Sequence, residues 1–359
     1  MSGASSGMRV LVDAYWWHEG PVSNRLVQRE LIRSWRRVHP EDQLTLVLPS
    51  KHARGDHEEF DHLTARTGPH GLAVELEYGR LARRARADVV FTHNFAPRGA
   101  PSIVFVHDVL FKERPEWFTW QERVYLSRVG PGLSRADAVV TSSTNEARRI
   151  ARCFPGAPAA SPIGLAPEPA LLDARPRRPD LPDDLDGFVL SVGRLNVRKN
   201  LGAALRGALD SGSVTPRFPV VVVGESDGKA AAWDDDVARA VETGQVVLLG
   251  HVDIEELAWL YGHTSLFVYL SLDEGFGLPP VEALAFGAPV LVSDLPVFRE
   301  NLGDRASYVD PAGPGDVARA IRAAVNAAAR TRTHERWEPR SWDAIARSLR
   351  AHAAQVVGR

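Results

Sequence analysis

The feature that most constrains this chain is an alternation, run twice, of short branched apolar segments with longer arginine-bearing ones. Apolar runs recur at residues 10–12, 44–48, 89–92, 103–106 and 138–141, with helix-patterned stretches between most of them, the first from about 24 to 38. Continuous apolar runs of this length read as strands buried on both faces. Strands spaced by helices read as βαβ units of a parallel sheet. A proline-rich stretch over 155–182 interrupts the pattern, and it restarts at 188–192, 220–223, 246–249, 266–270 and 290–293. At 359 residues the chain exceeds what a single core usually supports. The expectation is therefore α/β, with two Rossmann-like, doubly wound domains at 8–165 and 187–340 joined by a linker at 166–186. Ligands of such sheets bind beyond the carboxyl ends of the strands, so two domains facing one another would enclose a cleft.

Composition removes several classes of function. No run of about 18 apolar residues is present to span a bilayer. The single cysteine, Cys153, excludes an intramolecular disulfide and a cysteine-based zinc site. Residues 1–165 carry a formal charge of +4 and the remainder −6. That asymmetry is too weak for nucleic-acid binding, but it favours an anionic acceptor or peripheral contact with a membrane surface. The first seven residues lack a cationic start and an apolar core, so they read as a disordered lead and not as a secretory signal. The expected location is the cytoplasm, with the inner face of the membrane as an alternative.

The densest chemical signal follows the run at 266–270. There Ser271-Leu272-Asp273-Glu274-Gly275-Phe276-Gly277-Leu278-Pro279-Pro280-Val281-Glu282 reads as strand, glycine loop and helix start. Gly275 and Gly277 let the backbone approach a ligand, and prolines suit a first helical turn, where their missing N–H groups cost nothing. Loop amides and the helix dipole then favour an anion. Glu282, placed in the first turn, can share a pocket with Glu274 so that two carboxylates accept hydrogen bonds from sugar hydroxyls. A purely structural reading of Glu282, as complement to the helix N-terminus, stands beside it.

A second patch, Gly193-Arg194-Leu195-Asn196-Val197-Arg198-Lys199-Asn200, follows the run at 188–192. Arg194 and Lys199 there suit a diphosphate, the one as a bidentate fork and the other as a point charge, with Arg198 able to replace either. Solvated loop cations are the alternative. In the first half, His107 and Asp108 follow the run at 103–106, at a strand's carboxyl end. His107 can stabilise charge near a reacting carbon, and Asp108 can fix the loop or orient His107. His93, His251 and His263 carry no comparable signal. Arg25, Arg29 and Arg33 share one helix face, read as solvated or as a lipid-phosphate contact, and Trp16 and Trp17 read as packing or as a sugar-stacking platform.

Together these motifs resemble the retaining glycosyltransferases of family 4, which have the GT-B fold. Gly193-Arg194, Lys199-Asn200, Leu249-Gly250-His251-Val252, the 274–282 block, Gly287-Ala288-Pro289-Val290 and Glu300 fall in that family's order. The resemblance implies that Arg194 and Lys199 bind the donor diphosphate, with Gly193 beside them. It gives the sugar to Glu274, Gly275, Phe276, Gly277 and Leu278, the ribose to Glu282, and a place near the base to Val252. His107 matches the family's cleft histidine. The segment 341–359 resembles a helix crossing back onto the first domain. The first loop, His18-Glu19-Gly20-Pro21-Val22-Ser23-Asn24, departs from the family's glycine pair, and Gly20 takes that place.

The activity implied is transfer of a hexose from a nucleoside diphosphate sugar to a hydroxyl of a glycan or lipid-linked acceptor, with retention and without metal or resident cofactor. Similarity of 249–300 to bacterial mannosyltransferases of surface polysaccharides points first to GDP-mannose. UDP-glucose, UDP-N-acetylglucosamine and dTDP-rhamnose are the other donors. A nucleotide-sugar epimerase on the same fold and a non-catalytic partner subunit are the competing classes.

Overall fold

The computed structural model describes residues 7–50, 59–194, 196–224, 235–328 and 337–358, so the expected N-terminal lead falls at residues 1–6 outside the described part. The chain divides into two compact units, unit 1 at Met1–Leu165 with Arg340–Arg359 and unit 2 at Ala166–Pro339.

Unit 1 is built on seven strands: β1 (Arg9–Asp13), β2 (Gln43–Pro49), β3 (Asp61–Ala65), β4 (Val89–His93), β5 (Ser102–Val106), β6 (Ala138–Thr141) and β7 (Ala160–Pro162). They lie in the order β3-β2-β1-β4-β5-β6-β7, and each pair is parallel. Strand β5 is buried at every position, which is why its sequence is a continuous apolar run. One face packs Leu11, Val47, Val90 and Val104 against Val74, Tyr78 and Leu81 of the helix His70–Ala85.

The helix Val22–Val38 buries Val27, Leu31 and Trp35, a four-residue spacing that makes one apolar stripe. It packs against the last helix, Trp342–Val357, which buries Trp342, Ile345 and Leu349 and also meets β4, β5 and β6. Each such buried side chain is worth about 1.5–3 kcal/mol. A buried carboxylate fixes the joint: Asp42 accepts from Met8 N at 2.8 Å, Trp35 Nε1 at 2.9 Å and Arg350 Nε at 3.1 Å.

Unit 2 is built on six parallel strands, β8 (Val189–Val192), β9 (Val220–Val223), β10 (Val246–Gly250), β11 (Leu266–Tyr269), β12 (Val290–Ser293) and β13 (Ser307–Val309), ordered β10-β9-β8-β11-β12-β13. Alternate residues feed two cores. Leu190, Val221, Phe267 and Val292 enter one, and Val189, Val222, Val268 and Leu291 the other.

The segment read as a linker is packed. Ala160–Pro162 forms β7, Leu171 and Leu181 are buried beside Phe188, and Arg177 pairs with Asp253 and Glu256. Its regular elements, β7 and a single helical turn at Pro169–Leu172, are too short to show periodicity in sequence. Among the described residues no helix is long and apolar enough to cross a membrane.

Candidate functional site

Each sheet changes winding direction between its first and fourth strands, β1 and β4 in unit 1 and β8 and β11 in unit 2. Ligands of open α/β sheets collect beyond the carboxyl ends of the strands at that point. Of the predicted residues, Gly193 to Lys199 follow β8 and Glu274 to Leu278 follow β11, on the two sides of that point in unit 2, while His107 follows β5 and Val252 follows β10.

In unit 2, β8 runs into Gly193 and β9 into Gly224, both at positive φ. A Cβ on Gly224 would stand 2.0 Å from the Gly193 carbonyl oxygen, so the two loops touch only because a side chain is missing. A short turn, Val197–Lys199, follows, with Asn196 Oδ1 accepting Lys199 N at 3.1 Å. It turns two cations onto one carboxylate. Lys199 Nζ donates to Glu274 Oε1 at 2.6 Å, and Arg198 donates to Glu274 Oε2 at 2.6 Å. Tyr269 and Ser271 hydroxyls also donate to Oε1, at 2.9 and 2.8 Å, and Lys199 Nζ meets the Tyr269 hydroxyl.

Burial alone would raise the Glu274 pKa, but Arg198 and Lys199 beside it hold it down to about 2. Lys199 is lowered to about 8, first by burial and then by Arg198 and Arg194, against the pull of Glu274. Two cations share this carboxylate while Arg194 adds to the same field, so the cluster offers positive charge to a ligand. Arg198, expected as a spare, is a full member of it.

The glycine loop is closely packed. Gly277 has φ 87°, and a Cβ there would meet Phe298 Cε1 at 2.5 Å. The Phe276 carbonyl accepts from Asn301 Nδ2 at 2.8 Å, and Leu278 opens the helix Leu278–Ala285 with Pro279 and Pro280 behind it. Glu282 is the fifth residue of that helix, so it sits in the second turn and not the first, too deep to complement the N-terminal amides. It is buried instead against Tyr261, whose hydroxyl donates to Oε2 at 2.9 Å. Burial raises its pKa to about 7, with Tyr261 opposing and Glu168 adding. Gly275 lies between Glu274 and Phe276 in the same loop, and Val252, just beyond β10, is half-buried against the unit 2 core.

In unit 1 the carboxyl ends of β1, β4 and β5 carry Asp13, His93 and, one residue on, His107. Asp13 is fully buried and accepts from His70 Nε2 at 2.7 Å, Tyr78 hydroxyl at 2.9 Å, Tyr15 N at 3.1 Å and His93 N at 3.2 Å. His93 Nδ1 and His107 Nε2 are 3.1 Å apart. Burial lowers the His107 pKa well below its ordinary value, and His93 and His70 add to the effect. Asp108 bonds into the loop that follows it. Its Oδ1 accepts Leu110 N at 3.3 Å and fixes the following turn. His93, to which the sequence assigned no comparable signal, meets the ring nitrogen of His107. An acid closing the apolar strand β1 was the readable sign of this cluster.

Trp16 covers the histidines, with ring centroids 4.6 Å from His70 and 5.8 Å from His107, and Gly20 (φ 130°) packs on Trp16, where a Cβ would come within 2.8 Å. Trp17 is buried under Arg29 and Arg33, so two arginines of the basic face are occupied in packing.

Residues 176–341 match the model of the family "Glycosyl transferases group 1". Unit 2 is a glycosyl transferases group 1 domain. The chain is 35% identical over 135 residues to the O-antigen chain mannosyltransferase B of Escherichia coli, covering 35% of this chain and 33% of that protein. It is 42% identical over 92 residues to the O-antigen chain mannosyltransferase RfbU of Salmonella typhimurium, covering 26% of each. The matched segments thus span a third or less of these relatives. A D-inositol 3-phosphate glycosyltransferase of Mycobacterium leprae is 31% identical over 255 residues, 63% of this chain and 56% of the other. Among solved structures, the sucrose-phosphate synthase of Thermosynechococcus elongatus superposes with a TM-score of 0.71 at 18% identity, covering 98% and 99% of the two chains. Anabaena HepE in complex with UDP and glucose gives 0.59 at 17%, covering 98% and 96%. The fold of the chain is thereby GT-B.

Proposed function

We propose that this group 1 protein transfers mannose from GDP-mannose to a hydroxyl of a glycan or lipid-linked acceptor, with retention at the anomeric carbon. The observation that carries the reading is the buried cluster of Lys199 and Arg198 on Glu274, at the point where an open α/β sheet binds its ligand. The names of the relatives support mannose.

In this reading Lys199, Arg198 and Arg194 take the donor diphosphate, replacing one shared carboxylate with a ligand of higher charge. Glu274, released from part of that pairing, and the Phe276-Gly277-Leu278 backbone hold the sugar. Glu282 accepts the ribose hydroxyls. Unit 1 binds the acceptor on the face that carries His107. The bond from the anomeric carbon to the phosphate oxygen breaks while the acceptor oxygen bonds to the same face. The acceptor proton passes to the departing phosphate, whose charge the cations stabilise.

The test is a thermal-shift panel of GDP, UDP and dTDP, followed by transfer assays with the matching sugars. A ligand that binds only the folded protein raises its melting temperature according to its affinity. GDP is expected to give the largest shift and GDP-mannose the only efficient transfer. A larger shift with UDP overturns the donor, and turnover of a nucleotide sugar without an acceptor favours an epimerase.

A further inference from the structure

We propose that His93 is a positioning residue that fixes His107 in the tautomer protonated on Nδ1, so that unit 1 presents to substrate a neutral N–H donor and no imidazole base. The proposal rests on the glycosyltransferase reading only in taking His107 to meet substrate.

His93 is fully buried and its pKa falls to about 4, burial being the main cause, so its ring holds a single proton at neutral pH. His107 is neutral for the same reason. A separation of 3.1 Å between His93 Nδ1 and His107 Nε2 is a hydrogen bond with one proton in it. The ring planes lie 24° apart with centroids at 5.2 Å, which is close to the nitrogen separation plus two ring radii and fits an in-line N–H···N contact.

Two arrangements satisfy that bond. If His107 Nε2 carried the proton, His93 would hold its own on Nε2, which is buried and has no partner among the described residues. If His93 Nδ1 carries it, the atom left without a partner at Nε2 is only a lone pair. Buried N–H groups without an acceptor are rare, while unsatisfied acceptors are better tolerated, so the second arrangement is favoured. His107 Nε2 is then occupied as an acceptor, and the proton of His107 must sit on Nδ1.

The surroundings hold both rings in register. His93 N donates to Asp13 Oδ2, and His107 N donates to Asn94 Oδ1 at 3.1 Å from a left-handed Asn94 at φ 61°. Trp16 covers both imidazoles. An N–H aimed at substrate recognises an oxygen lone pair, such as that of a sugar hydroxyl or a ring oxygen. It cannot accept the proton of the attacking hydroxyl, which leaves that proton to the donor phosphate.

The direct test is a long-range proton–nitrogen correlation spectrum of the full-length protein labelled with 15N-histidine, the two rings being assigned with His93→Asn and His107→Asn. Wild type is expected to show His107 protonated at Nδ1 and His93 protonated at Nδ1. A His107 ring protonated at Nε2 overturns the proposal. In transfer assays His93→Leu is expected to lower kcat at least about tenfold with the donor KM unchanged within twofold. His93→Asn, whose amide N–H occupies the place of Nδ1, is expected to restore most of that loss. Equal losses in the two variants, both folded by circular dichroism, contradict the proposal. If wild type transfers no sugar at all, the glycosyltransferase reading fails, while the spectrum still decides the tautomer.

Discussion

Tyr261 donates its hydroxyl hydrogen to Oε2 of Glu282 at 2.9 Å, and the contact is closed off from solvent. The carboxyl in it titrates near 7, above its ordinary 4.5. It therefore holds more protons in the native chain than in the unfolded one across that interval, and native stability falls as pH rises through it. Glu282→Gln should match wild type near pH 4 and exceed it at pH 8 by up to about 3 kcal/mol. Urea denaturation of both proteins at the two pH values checks this, and a difference independent of pH contradicts it.

Nucleotide binding should have a bell-shaped pH profile. In the proposed reading Glu282 is ionised to accept two ribose hydroxyls and Lys199 is protonated to hold phosphate. Affinity for a nucleoside diphosphate is expected to weaken below about pH 7 and again above about pH 8, following the free-protein values of these two groups. Calorimetric titration from pH 5.5 to 9.5 measures both limbs. Glu282→Gln should flatten the acid limb alone.

Glu274→Gln leaves Lys199 and Arg198 without their shared counter-charge, a change expected to cost about 3 kcal/mol of stability. A bound diphosphate supplies that charge. The thermal shift produced by saturating nucleotide should accordingly be larger in the variant than in wild type, although transfer is lost. Lys199→Ala should give the opposite pattern, with a folded protein, a much smaller nucleotide shift and transfer reduced at least about 100-fold.

Gly277→Ala meets two obstacles, a φ of 87° and a contact of 2.5 Å with Phe298 Cε1. The expected loss is about 2 to 4 kcal/mol. Phe298→Leu in the same chain should recover part of it by opening space, and the urea midpoint of the pair measures how much of the loss is steric.

Much of the local geometry around the candidate site of unit 2 was legible because its signals are local. Glycines, prolines and charges stand within a dozen residues of the strand that carries them, as in Gly193 to Lys199 and Glu274 to Leu278. The turn occupied by Glu282 was misjudged because the helix begins at Leu278 and so sets the glutamate one turn deeper. Unit 1 was harder to read. Asp13 meets His70 and His93 across 57 and 80 residues of sequence, and only the placing of β1 beside β4 and of the helix that opens at His70 brings them together. A lone histidine at a strand end carries no sign of its partner. The proline-rich segment misled for a related reason, since Leu171 and Leu181 are single apolar anchors without a period to reveal them.

Unit 1 is interrupted in sequence by the whole of unit 2. On the ribosome, the stripe of Val27, Leu31 and Trp35 leaves the exit tunnel more than 300 residues before Trp342, Ile345 and Leu349 arrive to cover it. The group 1 domain can close as soon as its own strands have emerged, while the N-terminal sheet waits half-dressed for the last helix. Synthesis order and folding order are thus reversed for the two units, and the first to be made is the last to be finished.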